Sequence, residues 1–277
     1  MGTKPSKPNR PTSAKHSTLV GPKAVPRLPQ ELIDEILNHL APSHNSDFRS
    51  LRSCALVSKS WVRACRRLLF HTVVFTRVGM ERWLERFPVP EESPAHLIKH
   101  LYVWIGAYHY VPDKFYQYTP WFTNAENLSL LGYKGVRLLQ EPSPWRSPQS
   151  VTSLTVKTGL VTLVEIRDIM GQLPNLDSLW LSGLLVGRVS PGIGTVLKGR
   201  FGGKLRLCRR YTSECITSML LEIPTGIHFT EFQIESARRD LPSNVKLLEA
   251  CGRTIVKLSY MVDFERESHS FSWLSRP

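Results

Sequence analysis

The sequence of 277 residues predicts an α/β repeat protein: a module of three short helices, then a solenoid with parallel strands inside and helices outside. Apolar residues recur at helical spacing through residues 25–70. From residue 71 onward, a short pattern of apolar positions recurs about every 26 residues. A hydrophobic fraction of 42% is typical of a globular protein. We therefore expect a tail at 1–24, a helical module at 25–70 and repeats over 71–277.

Residues 1–24 have the composition of a disordered basic tail, rich in proline and without an acidic residue. Residues 1–6 match the N-myristoylation pattern at Gly2. That pattern is short and often matches by chance, so we favour a solvated linker or a nuclear-import signal over membrane attachment. The sequence has no apolar run of transmembrane length and no apolar signal region near Met1. These observations predict a cytoplasmic or nuclear protein.

The helical module begins with a strongly amphipathic segment, in which Pro29 suits the first turn of a helix. Its apolar residues are Leu28, Leu32, Ile33, Ile36, Leu37 and Leu40. A second apolar segment spans 51–57, and Ser58 is the predicted N-cap of a third helix. Three helices in about 45 residues bury little surface, so the module needs a partner or a neighbouring domain to cover its remaining apolar face.

The segment VPRLPQELIDEILNHL, followed by LRSCALVSKSWVRACRRLLF, resembles an F-box, over about residues 25–70. The resemblance implies docking onto a Skp-type adaptor and, through that adaptor, onto a cullin ubiquitin ligase. It places six residues at the adaptor: Leu28, Pro29, Leu32, Ile36, Val57 and Trp61. The alternative is a helical cap on a larger domain, in which the same residues are core.

The repeat is apolar-x-x-apolar-x-apolar, and its middle residues are separated by steps of 25 to 27 residues. These middle residues are Leu101, Leu128, Leu154, Leu179, Leu205, Phe232 and Leu258. The period lies within the range of leucine-rich repeats, and it predicts about seven strands. Helices are predicted to begin near Thr162, Ser213 and Ser243. The asparagine that usually follows each strand is absent, so we expect an irregular leucine-rich-repeat arc.

Alternation along each strand turns a second set of residues away from the core, onto the predicted concave face. The candidates for contact with a target protein are Tyr102, Trp104, Trp180, Lys204, Arg206, Glu231 and Glu235. Aromatic residues at such positions are typical of protein-binding surfaces. For Tyr102 and Trp104, burial against the F-box-like segment or the aromatic-rich segment 106–122 is an equal alternative.

The sequence offers little evidence for an enzyme. It has no phosphate-binding loop, no HExxH motif and no closely paired cysteines. A dispersed catalytic triad leaves no local signature, and none is present. The five cysteines are an odd number on apolar patterns, which predicts reduced and mostly buried thiols. We expect no catalytic residue, no metal and no cofactor.

The formal net charge of +13 raises the possibility of a nucleic-acid-binding repeat protein. The densest basic patch comprises Lys198, Arg200, Lys204, Arg206, Arg209 and Arg210. No nucleic-acid-binding motif accompanies it, so a solvated loop or an acidic protein partner is the preferred interpretation. The sequence thus predicts a non-catalytic substrate receptor for ubiquitin conjugation and protein degradation. A leucine-rich-repeat scaffold without ligase recruitment is the alternative, and the identity of the target stays open.

Overall fold

The computed structural model describes residues 28–40, 48–105, 113–132, 149–158, 163–183, 201–208, 213–223, 226–237 and 241–263. The predicted tail with Gly2, the helix start at Thr162 and part of the basic patch lie outside these residues. From that patch the outlying residues are Lys198, Arg200, Arg209 and Arg210.

Three helices form the first part of the fold: α1 (Gln30–Leu40), α2 (Arg49–Val57) and α3 (Lys59–Leu69). The Ser58 side chain accepts a hydrogen bond from the Ser60 backbone N–H at 3.3 Å, which confirms the predicted N-cap of α3. A small separate core holds the helices together. Its buried members are Ile33, Leu37, Leu51, Ala64 and Cys65.

Eight parallel strands then form one sheet, and their order in the sheet is their order along the chain. The strands are β1 (Thr72–Phe75), β2 (His100–Ile105), β3 (Asn127–Gly132), β4 (Ser153–Thr158), β5 (Ser178–Ser182), β6 (Phe201–Cys208), β7 (Ile227–Ala237) and β8 (Lys257–Asp263). The sequence did not predict β1, which follows α3 after only two residues. Because each strand pairs with the next, the described part of the sheet has a solenoid-like arrangement.

We call the middle residue of each apolar pattern its anchor, and each anchor pairs with the anchor of the next pattern. This register runs from Leu101 beside Leu128 to Phe232 beside Leu258. The register between β6 and β7 shifts by one residue. Gly203 pairs with Phe229 and Lys204 pairs with Glu231, so Thr230 of β7 has no partner in the register. The residues between the anchors therefore also form rows across the sheet.

Helices cover the face of the sheet that carries the anchors. They are α4 (Arg77–Arg86), α5 (Leu163–Gly171), α6 (Ser213–Leu221) and α7 (Leu241–Cys251), with 3-10 segments at Pro90–Glu92, Pro94–Leu97 and Asp113–Trp121. Helix α7 begins at Leu241, so the prediction of an N-cap at Ser243 is wrong. Pro242 occupies its first turn, where a missing N–H is tolerated. The anchors from Leu101 to Phe232 share one core with the helices, whereas Leu258 on the edge strand β8 is 51% exposed, contrary to the prediction. We call the opposite surface of the sheet the open face.

Hydrogen bonds between successive strand units recur just before the strands. The carbonyls of His71, Lys99, Glu126 and Thr152 each accept two backbone N–H groups from the next unit. Side chains reinforce them: Asn124 donates to the His96 carbonyl, Ser150 to Ala125, Asn175 to Gln149 and Thr254 to Phe229. Polar groups ahead of the strands thus connect neighbouring units. In the described part of the chain, no helix is both long and apolar enough to span a bilayer.

Candidate binding surfaces

The first candidate surface is an apolar stripe on α1. Leu28 and Leu32 are each 45% exposed, and Ile36 and Leu40 are each 40% exposed. Leu32, Ile36 and Leu40 recur every fourth position and line one side of the helix, while Ile33 and Leu37 turn into the core. Leu28 lies two residues before the start of α1. The single apolar face that the sequence predicts is therefore divided between a buried half and an exposed half.

The end of α2 extends this apolar exposure. Leu56 is 88% exposed and Val57 is 68% exposed. We call these two residues and the four residues of the stripe the F-box apolar surface: Leu28, Leu32, Ile36, Leu40, Leu56 and Val57. Isolated exposed leucines are ordinary on proteins, but a group of this size marks an interaction site.

Five of the six predicted adaptor residues are exposed: Leu28, Pro29, Leu32, Ile36 and Val57. Trp61 differs, because it is half-buried and packs against the core of the three helices. The prediction omitted Leu40 and Leu56. The spacing of four residues after Ile36 was a signal for Leu40, and its position next to Val57 was a signal for Leu56.

The second candidate surface is a groove of about 410 Å³ on the open face, lined by residues of β4 to β8. Its lining includes Thr155, Trp180, Lys204, Arg206, Glu231, Gln233 and Lys257. The middle row of the register aligns Thr155, Trp180 and Arg206 on adjacent strands. Because the strands recur at a nearly constant interval along the sequence, the indole of Trp180 and several charged side chains lie side by side in the sheet.

Trp180 is at the centre of the contacts in this groove. The Lys157 Nζ atom lies 3.7 Å from the centroid of its ring, and the Arg206 Cζ atom lies 4.2 Å from it. Cations at this distance from an indole face are attracted by the ring quadrupole. The Trp180 Nε1–H also donates to the Cys208 Sγ atom at 3.2 Å, and the Arg206 Nε–H donates to the same sulfur at 3.2 Å.

Two ion pairs join β6 to β7. Lys204 Nζ lies 3.4 Å from a Glu231 carboxylate oxygen, and Arg206 Nη2 lies 3.6 Å from a Glu235 carboxylate oxygen. The Glu235 carboxylate also accepts a long hydrogen bond of 3.5 Å from Gln233 Nε2. The charged residues of the open face are thus in contact but loosely paired.

The predicted target-binding residues share the open face, but not all of them line the groove. Trp180, Lys204, Arg206 and Glu231 line the groove, and Glu235 contacts it through Arg206. Tyr102 and Trp104 are instead on β2, two strands before β4. Trp104 is 46% exposed, so the described residues do not bury it. Tyr102 is half-buried.

The described side chains of the aromatic-rich segment contribute to the main core. Tyr118 and Phe122 are buried in the main core, and Trp121 packs against it. The Tyr118 hydroxyl donates to the Phe87 carbonyl. Tyr108 and Tyr110 lie outside the described residues.

The list of candidates also omitted Lys157 and Lys257, which carry two of the positive charges around the groove. Lys157 pairs in register with Ser182, and it reaches Trp180 diagonally across the sheet. Long side chains often make such diagonal contacts. The sequence therefore contained a signal for the contact between Lys157 and Trp180, but finding it requires comparison of residues in neighbouring rows.

The structure shows all five cysteines as free thiols, three of them buried and two half-buried. Burial raises the pKa of the Cys65 thiol, with a further contribution from Cys54, and burial raises the pKa of Cys251. A raised pKa keeps a thiol protonated and unreactive. Among the described residues, no group of three or more histidine, cysteine or acidic side chains is arranged to hold a metal ion.

The sequence model of the F-box-like family matches residues 25–76. The matched region contains α1, α2, α3 and β1, and thus the whole F-box apolar surface. No curated protein matches the chain at a significant level. The fold and the match together define an F-box-like domain followed by a sheet of eight parallel strands, and they support an F-box protein.

Proposed function

We propose that this protein is the substrate-recognition subunit of a Skp–cullin–F-box ubiquitin ligase. The observation that carries the proposal is the coincidence of the F-box-like match at 25–76 with the F-box apolar surface. F-box domains typically bind Skp-type adaptors, which in turn connect to a cullin. Free thiols are consistent with a cytoplasmic or nuclear location.

The energetics of the F-box apolar surface favour a partner. Covering one half-exposed leucine or isoleucine contributes on the order of 1 kcal/mol. Six such side chains together are comparable to the lower estimates of the entropic cost of association, which begin at about 4 kcal/mol. Six exposed apolar side chains can therefore help to hold an adaptor.

The parallel sheet is the proposed target-binding part, with strand and helix units that repeat in the manner of leucine-rich repeats. Its period of 25 to 27 residues and its register support this description. In the proposed complex the chain is not catalytic. It contributes proximity, because holding a target beside an activated ubiquitin raises the effective concentration of the target's lysines.

The direct test is co-expression with a Skp-type adaptor, followed by size-exclusion chromatography. We expect a stoichiometric complex with the natural sequence and none with a Leu56→Glu/Val57→Glu variant. Two carboxylates placed in an apolar interface would weaken binding by on the order of a hundredfold or more. A Leu28→Ala/Pro29→Ala variant should weaken the complex less, because it removes apolar contact without introducing charge.

The matched control is Val78→Glu. Val78 is 52% exposed and lies on α4, beyond the matched domain, so this variant should bind the adaptor normally. A folded chain that ignores the adaptor would contradict the proposal and leave a protein-binding repeat scaffold. Equal loss in the control would attribute the effect to general damage.

A further inference from the structure

We infer that the groove across β4 to β8 binds an acidic peptide segment, and that Trp180 positions two of the cations that receive its carboxylates. This inference rests on the proposed function only in assigning the segment to a target protein. Recognition of an acidic peptide by the purified chain does not depend on adaptor binding.

The first argument is the balance of charge at the groove. Four cations surround it: Lys157, Lys204, Arg206 and Lys257. Two acids accompany them, Glu231 and Glu235, which leaves a net charge of +2 from four positive and two negative groups. A surface with excess positive charge attracts acidic partners and disfavours basic ones.

The second argument is that the two cations of the existing ion pairs can each receive a ligand carboxylate. The Lys204–Glu231 and Arg206–Glu235 separations, 3.4 and 3.6 Å, exceed the length of about 2.8 Å that is usual for a charge-assisted hydrogen bond. The Lys204 side chain is 60% exposed and that of Arg206 is 38% exposed. The Glu231 side chain is 37% exposed, so the loose and exposed Lys204–Glu231 pair contributes little, and a ligand carboxylate can replace Glu231 there. The Glu235 side chain is only 19% exposed, so we expect Arg206 to keep Glu235 and to bind a ligand carboxylate through its remaining N–H donors.

The third argument concerns the indole ring. Lys157 approaches it from β4 and Arg206 approaches it from β6, the strands on either side of β5. The hydrogen bond from Nε1 to Cys208 fixes the orientation of the ring. With two cations over its faces, Trp180 is better suited to hold those cations than to stack against an apolar side chain of the ligand.

A peptide fits this groove better than a nucleic acid. Glu231 lies between Lys204 and Lys257 in the register, so a continuous phosphate backbone would meet this carboxylate as well as the two lysines. The five strands span four spacings of about 4.8 Å, or roughly 19 Å, which an extended peptide of about six residues crosses. The geometry therefore favours a short segment with spaced carboxylates.

The test is fluorescence anisotropy with the full chain and a fluorescein-labelled peptide of about eight alternating glutamate and serine residues. The control peptide has glutamine in place of glutamate. We expect the glutamate peptide to bind at least about tenfold more tightly than the control. Arg206→Ala should weaken binding by about tenfold or more. Lys246→Ala removes the same charge from an exposed position on α7, and it should have less than about a twofold effect.

Trp180→Phe distinguishes a positioning role from a direct anchor. Phenylalanine attracts cations less than tryptophan does and cannot donate to Cys208, so affinity should fall by roughly threefold. The weakening of binding by added salt should match that of the natural chain, because every charge is retained. With Arg206→Ala, added salt should weaken binding less.

Three results would overturn the inference. One is equal binding of the glutamate and glutamine peptides, which would indicate an apolar or uncharged ligand. Another is tighter binding of a single-stranded oligonucleotide of similar length, which would assign the groove to nucleic acid. The last is no binding by a chain that still forms the adaptor complex, which would reject the acidic peptide and leave the proposed function intact.

Discussion

The F-box-like domain and the parallel sheet differ in how completely they bury their apolar side chains. Among the described residues, the three helices have five buried residues in their core, and they leave six large apolar side chains exposed. The sheet buries its anchors from Leu101 to Phe232 beneath helices, and its open face presents charged and aromatic groups in rows. In the proposed complex, the first region would gain apolar contact from the adaptor, and the second would offer the target electrostatic contact. The forces that recruit the two partners are expected to be separable.

The largest change in stability is expected from a substitution in the small core of the three helices, and it tests whether this core unfolds independently of the sheet. Leu37 is fully buried among the three helices, so Leu37→Ala should destabilise that domain by about 3 kcal/mol. Hydrogen exchange should accelerate in α1 to α3 and remain slow in the central strands. Leu56→Ala makes the same chemical change at an exposed position, and it should alter stability by less than about 0.5 kcal/mol. Equal acceleration in the strands would show that both regions unfold together.

An intermediate effect is expected at the bend in β6. Gly203 has a φ of +74°, and an added Cβ atom would lie 2.1 Å from the Asp177 carbonyl oxygen. Gly203→Ala should therefore destabilise the sheet by about 2 kcal/mol or more. Gly202 is the matched control, because a Cβ atom there meets its nearest neighbour, the His228 carbonyl oxygen, at 3.4 Å. Urea unfolding of both variants measures the difference. If Gly202→Ala were equally harmful, local packing rather than the positive φ would be responsible.

The smallest expected effect lies at the boundary between the two regions. Burial lowers the pKa of His71, and His100 and Lys99 lower it further, while Glu126 acts in the opposite direction. The unfolded chain therefore binds a proton at His71 more readily than the folded chain does. Stability should decrease as the pH falls below 6.5, the ordinary histidine value, and level off below the folded pKa.

Urea unfolding at about pH 7.5 and about pH 5.5 checks this dependence. The natural chain should lose more stability than a His71→Gln variant over that interval. The pKa of Glu126 is held low by its hydrogen bond to Lys99, so its own contribution changes below pH 4.5, outside the interval. Identical losses in both chains would assign the pH dependence to other groups, including His100, whose ring centroid lies 4.8 Å from that of His71.

The sequence predicted the sheet well because its anchors are evenly spaced and, apart from the exposed Leu258, buried. Every middle anchor from Leu101 to Leu258 pairs with its predicted neighbour. β1 escaped prediction because it is short and follows α3 after only Phe70 and His71, so no turn signal separates the strand from the helix. The start of α7 was misplaced because Ser243 resembles an N-cap, although Pro242 fits a first turn equally well.

The groove was harder to predict because it depends on contacts between strands rather than on positions within one strand. The aromatic character of Trp180 suggested a ligand contact, but only the folded sheet places Lys157 and Arg206 over its ring. Tyr102 and Trp104 carry the same sequence signal, yet they lie two strands from the groove. The pattern of outward-facing residues predicts which residues lie on the open face. The position of the groove on that face depends on contacts between long side chains of neighbouring strands.

The sequential order of the strands also has a geometric consequence. Because β1 joins the matched domain and each later strand adds one spacing, the sheet measures distance from that domain in steps of about 4.8 Å. Trp180 on β5 is thus four steps, or roughly 19 Å, from β1. Insertion or deletion of a single unit would move the groove by one step without rebuilding either surface. The number of strands between them therefore sets the distance between the proposed adaptor-binding and target-binding surfaces.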